Sequence, residues 1–153
     1  MLERILDEAI KLELSLSRLY LLFKAHHPKD AKFWESMAKE EVGHASQIER
    51  FKKTLLENGK STNEYSDVDL TKIMANNTQT QKLIEDFEEG VSRELAFRTA
   101  VKLENSASEE HYRIIFNAET ESRLTKVFQS LSLEDKKHYN RLLDYIEKKN
   151  IQI

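Results

Sequence analysis

Apolar residues recur at intervals of three or four along most of this 153-residue chain, which is the spacing of one face of an α-helix. Four long stretches carry such a stripe, at about residues 2–26, 31–58, 92–117 and 121–149. The chain contains only one Pro and three Gly, so few positions interrupt a helix. The sequence therefore predicts an all-α protein built from long amphipathic helices.

The connections between these stretches predict how the helices are arranged. Pro28 breaks the first helix, and Asp30 can cap the second. Residues 59–91 form a connection long enough to run the length of a helix bundle, with a helical turn expected at 69–74 and a short helix at 78–89. We predict a single domain over residues 1–153, an antiparallel four-helix bundle with one long crossover between its second and third helices. Residues 150–153 are expected to fray.

Composition excludes several classes of protein. The absence of cysteine removes disulfides, thiolate catalysis, Cys-ligated zinc and iron–sulfur clusters. A formal net charge of -3 gives no reason to expect nucleic acid or an anionic membrane as a partner. No apolar run is long enough to span a membrane, and the acidic, amphipathic start does not resemble a signal peptide. A cytoplasmic location is therefore expected.

Acidic residues and histidines occupy positions in the apolar stripes where aliphatic side chains are expected. Glu41 and His44 lie three residues apart and share one helix face. Such a pair alone is weak evidence, because 27 of the 153 residues are acidic. However, each half of the chain supplies one helix with a stripe Glu and one helix with an acid three residues before a His. The members of this set are Glu13, Glu41, His44, Glu104, Asp135 and His138.

The distances of these acids from the predicted turns place them at matching levels. In an antiparallel hairpin, residues equidistant from the turn lie beside each other. Glu13 and Glu41 are centred on position 27, and Glu104 and Asp135 are centred between positions 119 and 120. At the rise of an α-helix, each pair lies roughly 21–23 Å from its turn. With a long crossover the two turns lie at opposite ends of the bundle, so both pairs are predicted to meet near its middle.

Four carboxylates and two imidazoles are a donor set for a pair of metal ions. A carboxylate buried in a dry interior must be paired, protonated or bound to metal. Bridging carboxylates hold two ions about 3.5–4 Å apart, and four carboxylates neutralise the charges of two divalent ions. Imidazole nitrogen suits iron, and oxygen ligands also admit manganese.

The chain resembles the ferritin-like, rubrerythrin-type di-iron carboxylate proteins over nearly its whole length. The resemblance is carried by Glu13 with Tyr20 seven residues later, Glu41-Val42-Gly43-His44, Glu104, and Asp135-Lys136-Lys137-His138. It implies a ferritin-like bundle with two iron ions as cofactors, for which manganese or zinc could substitute. It also implies that Tyr20 supports the metal ligands. The ligands that it implies are Glu13, Glu41, His44, Glu104, Asp135 and His138.

The sequence departs from the family pattern in three places. Asp135 stands where the family usually has Glu, so it is expected to bind one ion less well, or Glu134 substitutes for it. On the third predicted helix, the residue seven after Glu104 is His111 instead of a Tyr, and His111 or Glu110 could add a ligand. The cysteine-ligated rubredoxin domain of rubrerythrin has no counterpart, so the electron donor must be a separate molecule.

The resemblance implies an oxidoreductase that reduces peroxide or dioxygen, as in defence against oxidative stress, or that oxidises ferrous iron. It also implies a homodimer. Three alternatives stay open: a bundle that has lost metal binding, a mononuclear site, and a non-catalytic bundle that acts as a metal-binding or dimerisation module.

Overall fold

The computed structural model describes the backbone of residues 2–57, 70–116 and 123–153, and the side chains of residues 2–57, 70–106 and 126–153. Every regular element in these ranges is helical, which confirms the all-α prediction. The α-helices are α1 Leu2–His26, α2 Ala31–Glu57, α3 Leu70–Asp86, α4 Arg93–Phe116 and α5 Arg123–Lys148. Part of the predicted crossover and the whole predicted turn at 117–120 lie outside the described residues. Along the described helices, none has both the length and the apolar character that crossing a membrane requires.

The chain divides into two compact units, Met1–Glu89 and Gly90–Ile153. In the first unit, α1 packs against α2 and also against α3, and the short 3-10 helix Pro28–Asp30 joins α1 to α2. In the second unit, α4 packs against α5. Each unit therefore contains one pair of long helices that carries half of the predicted metal ligands.

Cross-helix contacts establish the alignment of α1 and α2. Lys24 Nζ lies 3.3 Å from Glu35 Oε2 near the turn. Lys52 Nζ donates a hydrogen bond to Asp7 Oδ1 at 2.6 Å, near the other end of the pair. Both contacts join residues centred between positions 29 and 30, close to the predicted centre at 27. The two helices therefore run antiparallel, in nearly the predicted register.

The core of the first unit follows the apolar stripes of α1 and α2. Large side chains fill the space between the helices, and this close packing removes them almost completely from water. The largest fully buried members in this unit are Trp34, Tyr20, Phe23, Leu2, Ile5, Leu6, Leu16, Leu19, Met37 and Ile48. The aromatic members of this set lie towards the turn between α1 and α2.

Helix α3 is one continuous helix, so the predicted interruption between residues 74 and 78 is wrong. The sequence Asn76-Asn77-Thr78 has low helix propensity. In the structure, Asn77 is buried and its Nδ2 donates hydrogen bonds to the Glu8 backbone oxygen at 2.9 Å and to Glu8 Oε2 at 2.6 Å. Thr78 donates its hydroxyl to the Met74 carbonyl within the helix. These bonds to α1 and within α3 compensate for the low helix propensity of this segment.

The far end of α3 is tied to the turn between α1 and α2. The Phe87 ring lies 6.0 Å from the Phe23 ring, and the Phe87 backbone oxygen lies 3.0 Å from His26 Nε2. The His26 side chain is therefore half-buried and hydrogen-bonded at the end of α1.

Local capping interactions mark the start of α4 and the end of α5. Ser92 caps α4, since its Oγ accepts a hydrogen bond from the Leu95 amide at 3.2 Å. After α5, Asn150 adopts a left-handed φ of 51°, and the Ile151 amide donates to the Ile146 carbonyl at 3.0 Å. This geometry is a Schellman motif, in which Ile151 and Ile146 are both buried. The expected fraying is therefore wrong at Asn150 and Ile151.

Candidate metal centre

The first unit brings three of the predicted ligands into contact. Glu13 comes from α1, and Glu41 and His44 lie one helical turn apart on α2. His44 Nδ1 lies 3.1 Å from Glu41 Oε2 and 3.4 Å from Glu13 Oε2. All three side chains are buried, with at most 3% of any of them exposed. The alignment of α1 and α2 thus places two carboxylates around one imidazole nitrogen in a water-poor interior.

The electrostatics of this group favour a positive charge between the carboxylates. Burial opposes a charge on His44, but the carboxylates of Glu13 and Glu41 outweigh burial and raise the pKa of His44 to about 12. In the metal-free protein, the two carboxylates therefore favour the doubly protonated, positively charged form of His44, with one proton on Nδ1. A divalent cation at Nδ1 would supply positive charge at the same place and displace that proton.

The second unit contains a matching group. Glu104 comes from α4, and Asp135 and His138 lie one turn apart on α5. His138 Nδ1 lies 3.6 Å from Glu104 Oε2, and one ligand atom from each of the three residues lies within 4.8 Å of the others. All three side chains are buried. Each unit therefore presents two carboxylates and the Nδ1 atom of one imidazole.

The structure separates the predicted alternatives for the fourth carboxylate. Asp135 is buried within the group, whereas Glu134, the preceding residue of α5, is half-buried and lies outside the group. Asp135 is therefore the better placed of the two, in spite of its shorter side chain. The side chains of Glu110 and His111 lie outside the described residues, so their part in metal binding stays a prediction.

Tyr20 is fully buried, two turns along α1 from Glu13. Its ring stacks on Trp34, with the ring centroids 5.7 Å apart and the planes at 27°. Trp34 was not among the residues predicted for the site, although it precedes Glu41 by the same seven residues that separate Tyr20 from Glu13. That mirrored spacing was the signal that could have identified it.

The donor set fits iron or another divalent first-row metal. Imidazole nitrogen together with carboxylate oxygen suits iron and manganese, and a carboxylate can bind one ion or bridge two. Isolated buried carboxylates are costly, whereas metal coordination satisfies their charge. Glu41, His44 and Glu13 could hold one ion, and Glu104, Asp135 and His138 could hold another.

Gly43 lies between Glu41 and His44 but faces away from them. It is exposed in the middle of α2, and a Cβ added there would meet no other atom within 4 Å. We expect Gly43→Ala to increase the free energy of unfolding by about 0.5–1 kcal/mol, because alanine loses less backbone entropy in a helix. Urea unfolding of the metal-free protein measures this change. A loss of stability would show that Gly43 has a structural role which its surroundings do not reveal.

Comparison with known proteins agrees with this arrangement. Neither a curated protein nor a solved structure gave a significant match to the chain. The profile of the family described as Rubrerythrin matches residues 4–146, a range that includes both groups of ligands and all five helices except the ends of α1 and α5. By its sequence match, its helices and its buried carboxylate and histidine groups, the chain belongs to the rubrerythrin family of ferritin-like helical bundles.

Proposed function

We propose that this protein is a di-iron oxidoreductase that reduces hydrogen peroxide to water with electrons from an external donor. The observation that carries the proposal is the pair of equivalent buried groups, each with two carboxylates and one imidazole Nδ1. Family membership supports iron as the metal. The matching donor sets of the two units, together with the family match, support two ions per chain.

The ligands determine what the site can do. Two ferrous ions, when bound, would supply the two electrons that cleave the oxygen–oxygen bond of peroxide, and two protons would complete two water molecules. Glu13, Glu41, Glu104 and Asp135 neutralise the charge of two divalent ions, so the loaded site stays near neutral in its buried setting. Carboxylates can also change between terminal and bridging binding, which leaves a coordination position for the oxidant.

The electrons that re-reduce the iron must come from a group other than the metal ligands. The 153 residues contain no cysteine, so they hold no cysteine-ligated centre that could re-reduce the iron. We propose a separate protein or small molecule as the donor. Resemblance to the family also supports a homodimer, which light scattering would measure.

Anaerobic iron loading followed by peroxide tests the proposed function. We expect the metal-stripped protein to take up about two ferrous ions per chain. One equivalent of peroxide should then oxidise both ions, visible as ferric–carboxylate absorption in a stopped-flow spectrometer, and a reductant should restore the ferrous state. Failure to take up iron would contradict the proposal and favour a non-catalytic helical module. Uptake of a single ion per chain would instead indicate a mononuclear site.

A further inference from the structure

A buried hydrogen bond joins α1 to α2 in the layer of side chains next to the metal ligands. Ser17 Oγ on α1 donates to the Ala38 backbone oxygen on α2 at 2.9 Å, and at most 5% of either residue is exposed. Ser17 follows Glu13 by four residues, and Ala38 precedes Glu41 by three. Because α1 and α2 are antiparallel, both steps lead towards the turn that joins them, by roughly 5 Å along the helix axes.

This bond differs from the contacts at the two ends of the helix pair. Lys24 and Lys52 reach across to acidic side chains, Glu35 and Asp7, that are 39% and 52% exposed. Water screens such pairs, and their long side chains can follow a small movement of one helix. The Ser17 hydroxyl is short and bonds directly to a backbone atom, so a displacement of about 1–2 Å along the helix axes would lengthen or misalign it.

Small side chains lie on both sides of the ligand layer. Ser17 faces Ala38 on the side of the turn, and Ala9 and Ala45, each four residues from a ligand Glu, lie on the other side. All four are buried. Small side chains let two helices approach closely, but they interlock less than large ones do. A directional hydrogen bond at this level therefore has a large share in the alignment of the two helices.

Glu13 is the ligand that depends on this alignment. Glu41 and His44 lie one turn apart on α2, so that helix alone determines their relative position. Glu13 belongs to α1, and its Oε2 lies 3.4 Å from His44 Nδ1 across the two helices. A binding site requires its groups to be placed within about 0.5 Å. A movement of α1 along α2 would therefore displace Glu13 and leave the pair on α2 intact.

We propose that Ser17 is a positioning residue for the metal centre. Its hydrogen bond to the Ala38 carbonyl aligns α1 with α2 and so holds the Glu13 carboxylate beside Glu41 and His44. Ser17 acts through Glu13 instead of binding an ion itself. The inference rests on the metal binding that the proposed function requires, and it is independent of the reaction with peroxide.

A positioning role and a purely structural role predict different results. A structural hydrogen bond contributes to stability, and its loss leaves the metal affinity of the folded protein unchanged. In a positioning role, loss of the hydroxyl weakens metal binding, and the size of this effect depends on Glu13. Groups that support metal ligands typically contribute about 10–100-fold to metal affinity.

The test titrates Co²⁺ into the metal-free, full-length chain and follows the visible absorption of the bound ion. Ser17→Ala removes one oxygen atom, and we expect it to weaken Co²⁺ binding by about tenfold. Ser46→Ala is the matched control, because the Ser46 hydroxyl donates to the Val42 carbonyl within α2 at 2.8 Å on the exposed side. This control should keep the parental affinity. Parental affinity in Ser17→Ala would overturn the proposal.

Double variants test whether Ser17 acts through Glu13. Glu13→Gln and Asp135→Asn each remove one carboxylate charge, from the first and the second unit respectively. Added to Glu13→Gln, Ser17→Ala should weaken Co²⁺ binding by less than about twofold. Added to Asp135→Asn, it should still weaken binding by about tenfold. Equal further losses in the two backgrounds would overturn the positioning of Glu13. Circular dichroism and urea unfolding first establish that each variant is folded.

The outcomes separate this inference from the proposed function. If iron binds and peroxide oxidises it, but Ser17→Ala binds Co²⁺ as tightly as the parent protein, the positioning role is wrong and the proposed function stands. If the Ser17 variants behave as expected but peroxide does not oxidise bound iron, the positioning role stands and the proposed reaction fails. A parent protein that takes up neither iron nor Co²⁺ would contradict both.

Discussion

Replacing Glu41 by Gln is expected to lower bound iron from about two ions per chain to one or fewer. The amide has nearly the shape of the carboxylate but lacks its negative charge, and it is a poor bridge between metal ions. Glu41 Oε2 lies 3.1 Å from His44 Nδ1 in a buried group, so no solvent-exposed side chain can replace it easily. Even loss of groups that only support metal ligands typically costs about 10–100-fold in metal affinity. Iron analysis after anaerobic loading and removal of free metal measures the change.

A matched control lies at the preceding position. Glu40 is half-buried on α2, and its Oε1 accepts a hydrogen bond from Ser36 Oγ at 3.0 Å. Glu40→Gln makes the same chemical change outside the ligand group and should leave the iron content unaltered. Equal iron in the two variants would contradict the assignment of Glu41 as a ligand.

The equivalent comparison in the second unit uses Asp135 and Glu134. Asp135→Asn should lower the iron content, and Glu134→Gln should not, because only Asp135 lies within the buried group. We expect a smaller loss from Asp135→Asn than from Glu41→Gln, since the shorter Asp135 side chain is expected to bind its ion less tightly in the parent protein. The opposite result, with Glu134 as the sensitive residue, would assign the fourth carboxylate to Glu134.

Leu19→Ala is expected to lower the free energy of unfolding by about 2–5 kcal/mol. Leu19 is completely buried on α1, and truncation there removes apolar contacts and leaves a cavity in a tightly packed core. A loss of this size is a large fraction of the about 5–15 kcal/mol that stabilises a typical domain. Urea unfolding of the metal-free protein, followed by circular dichroism, measures the difference without a contribution from metal binding.

Leu21→Ala provides the comparison two residues further along the same helix. The Leu21 side chain is 46% exposed, so the same truncation should change the free energy of unfolding by less than about 0.5 kcal/mol. Similar losses in the two variants would mean that the face of α1 that carries Leu21 is covered in solution, for example by a second copy of the chain.

Local sequence signals were sufficient for most of the helical framework. Regular stripes of apolar residues predicted α1, α2, α4 and α5 to within two residues at every end, because helical periodicity requires only nearby residues. The Ser92 cap was predictable for the same reason. Acids and histidines inside these stripes pointed to the buried groups, since burial of a charged side chain requires a partner or a metal.

Helix α3 and the end of α5 could not be predicted in this way. Asn77 is a poor helix former by itself, and its hydrogen bonds to Glu8, which is distant in the sequence, help to stabilise the middle of α3. Asn150 looked like part of a loose tail, but Ile151 is buried and its amide closes the helix. In both cases, packing against the rest of the fold orders a segment whose own sequence predicts a break or a frayed end.

The sequence by itself identified the residues that could bind metal and predicted, from their distances from the turns, the levels at which they lie. Only the tertiary structure decided how the side chains meet: His44 Nδ1 between two carboxylates, Asp135 instead of Glu134 in the second group, and Trp34 stacked on Tyr20. The physical reason is that periodicity specifies the face of a helix, whereas contacts between atoms depend on how two helices are aligned and packed.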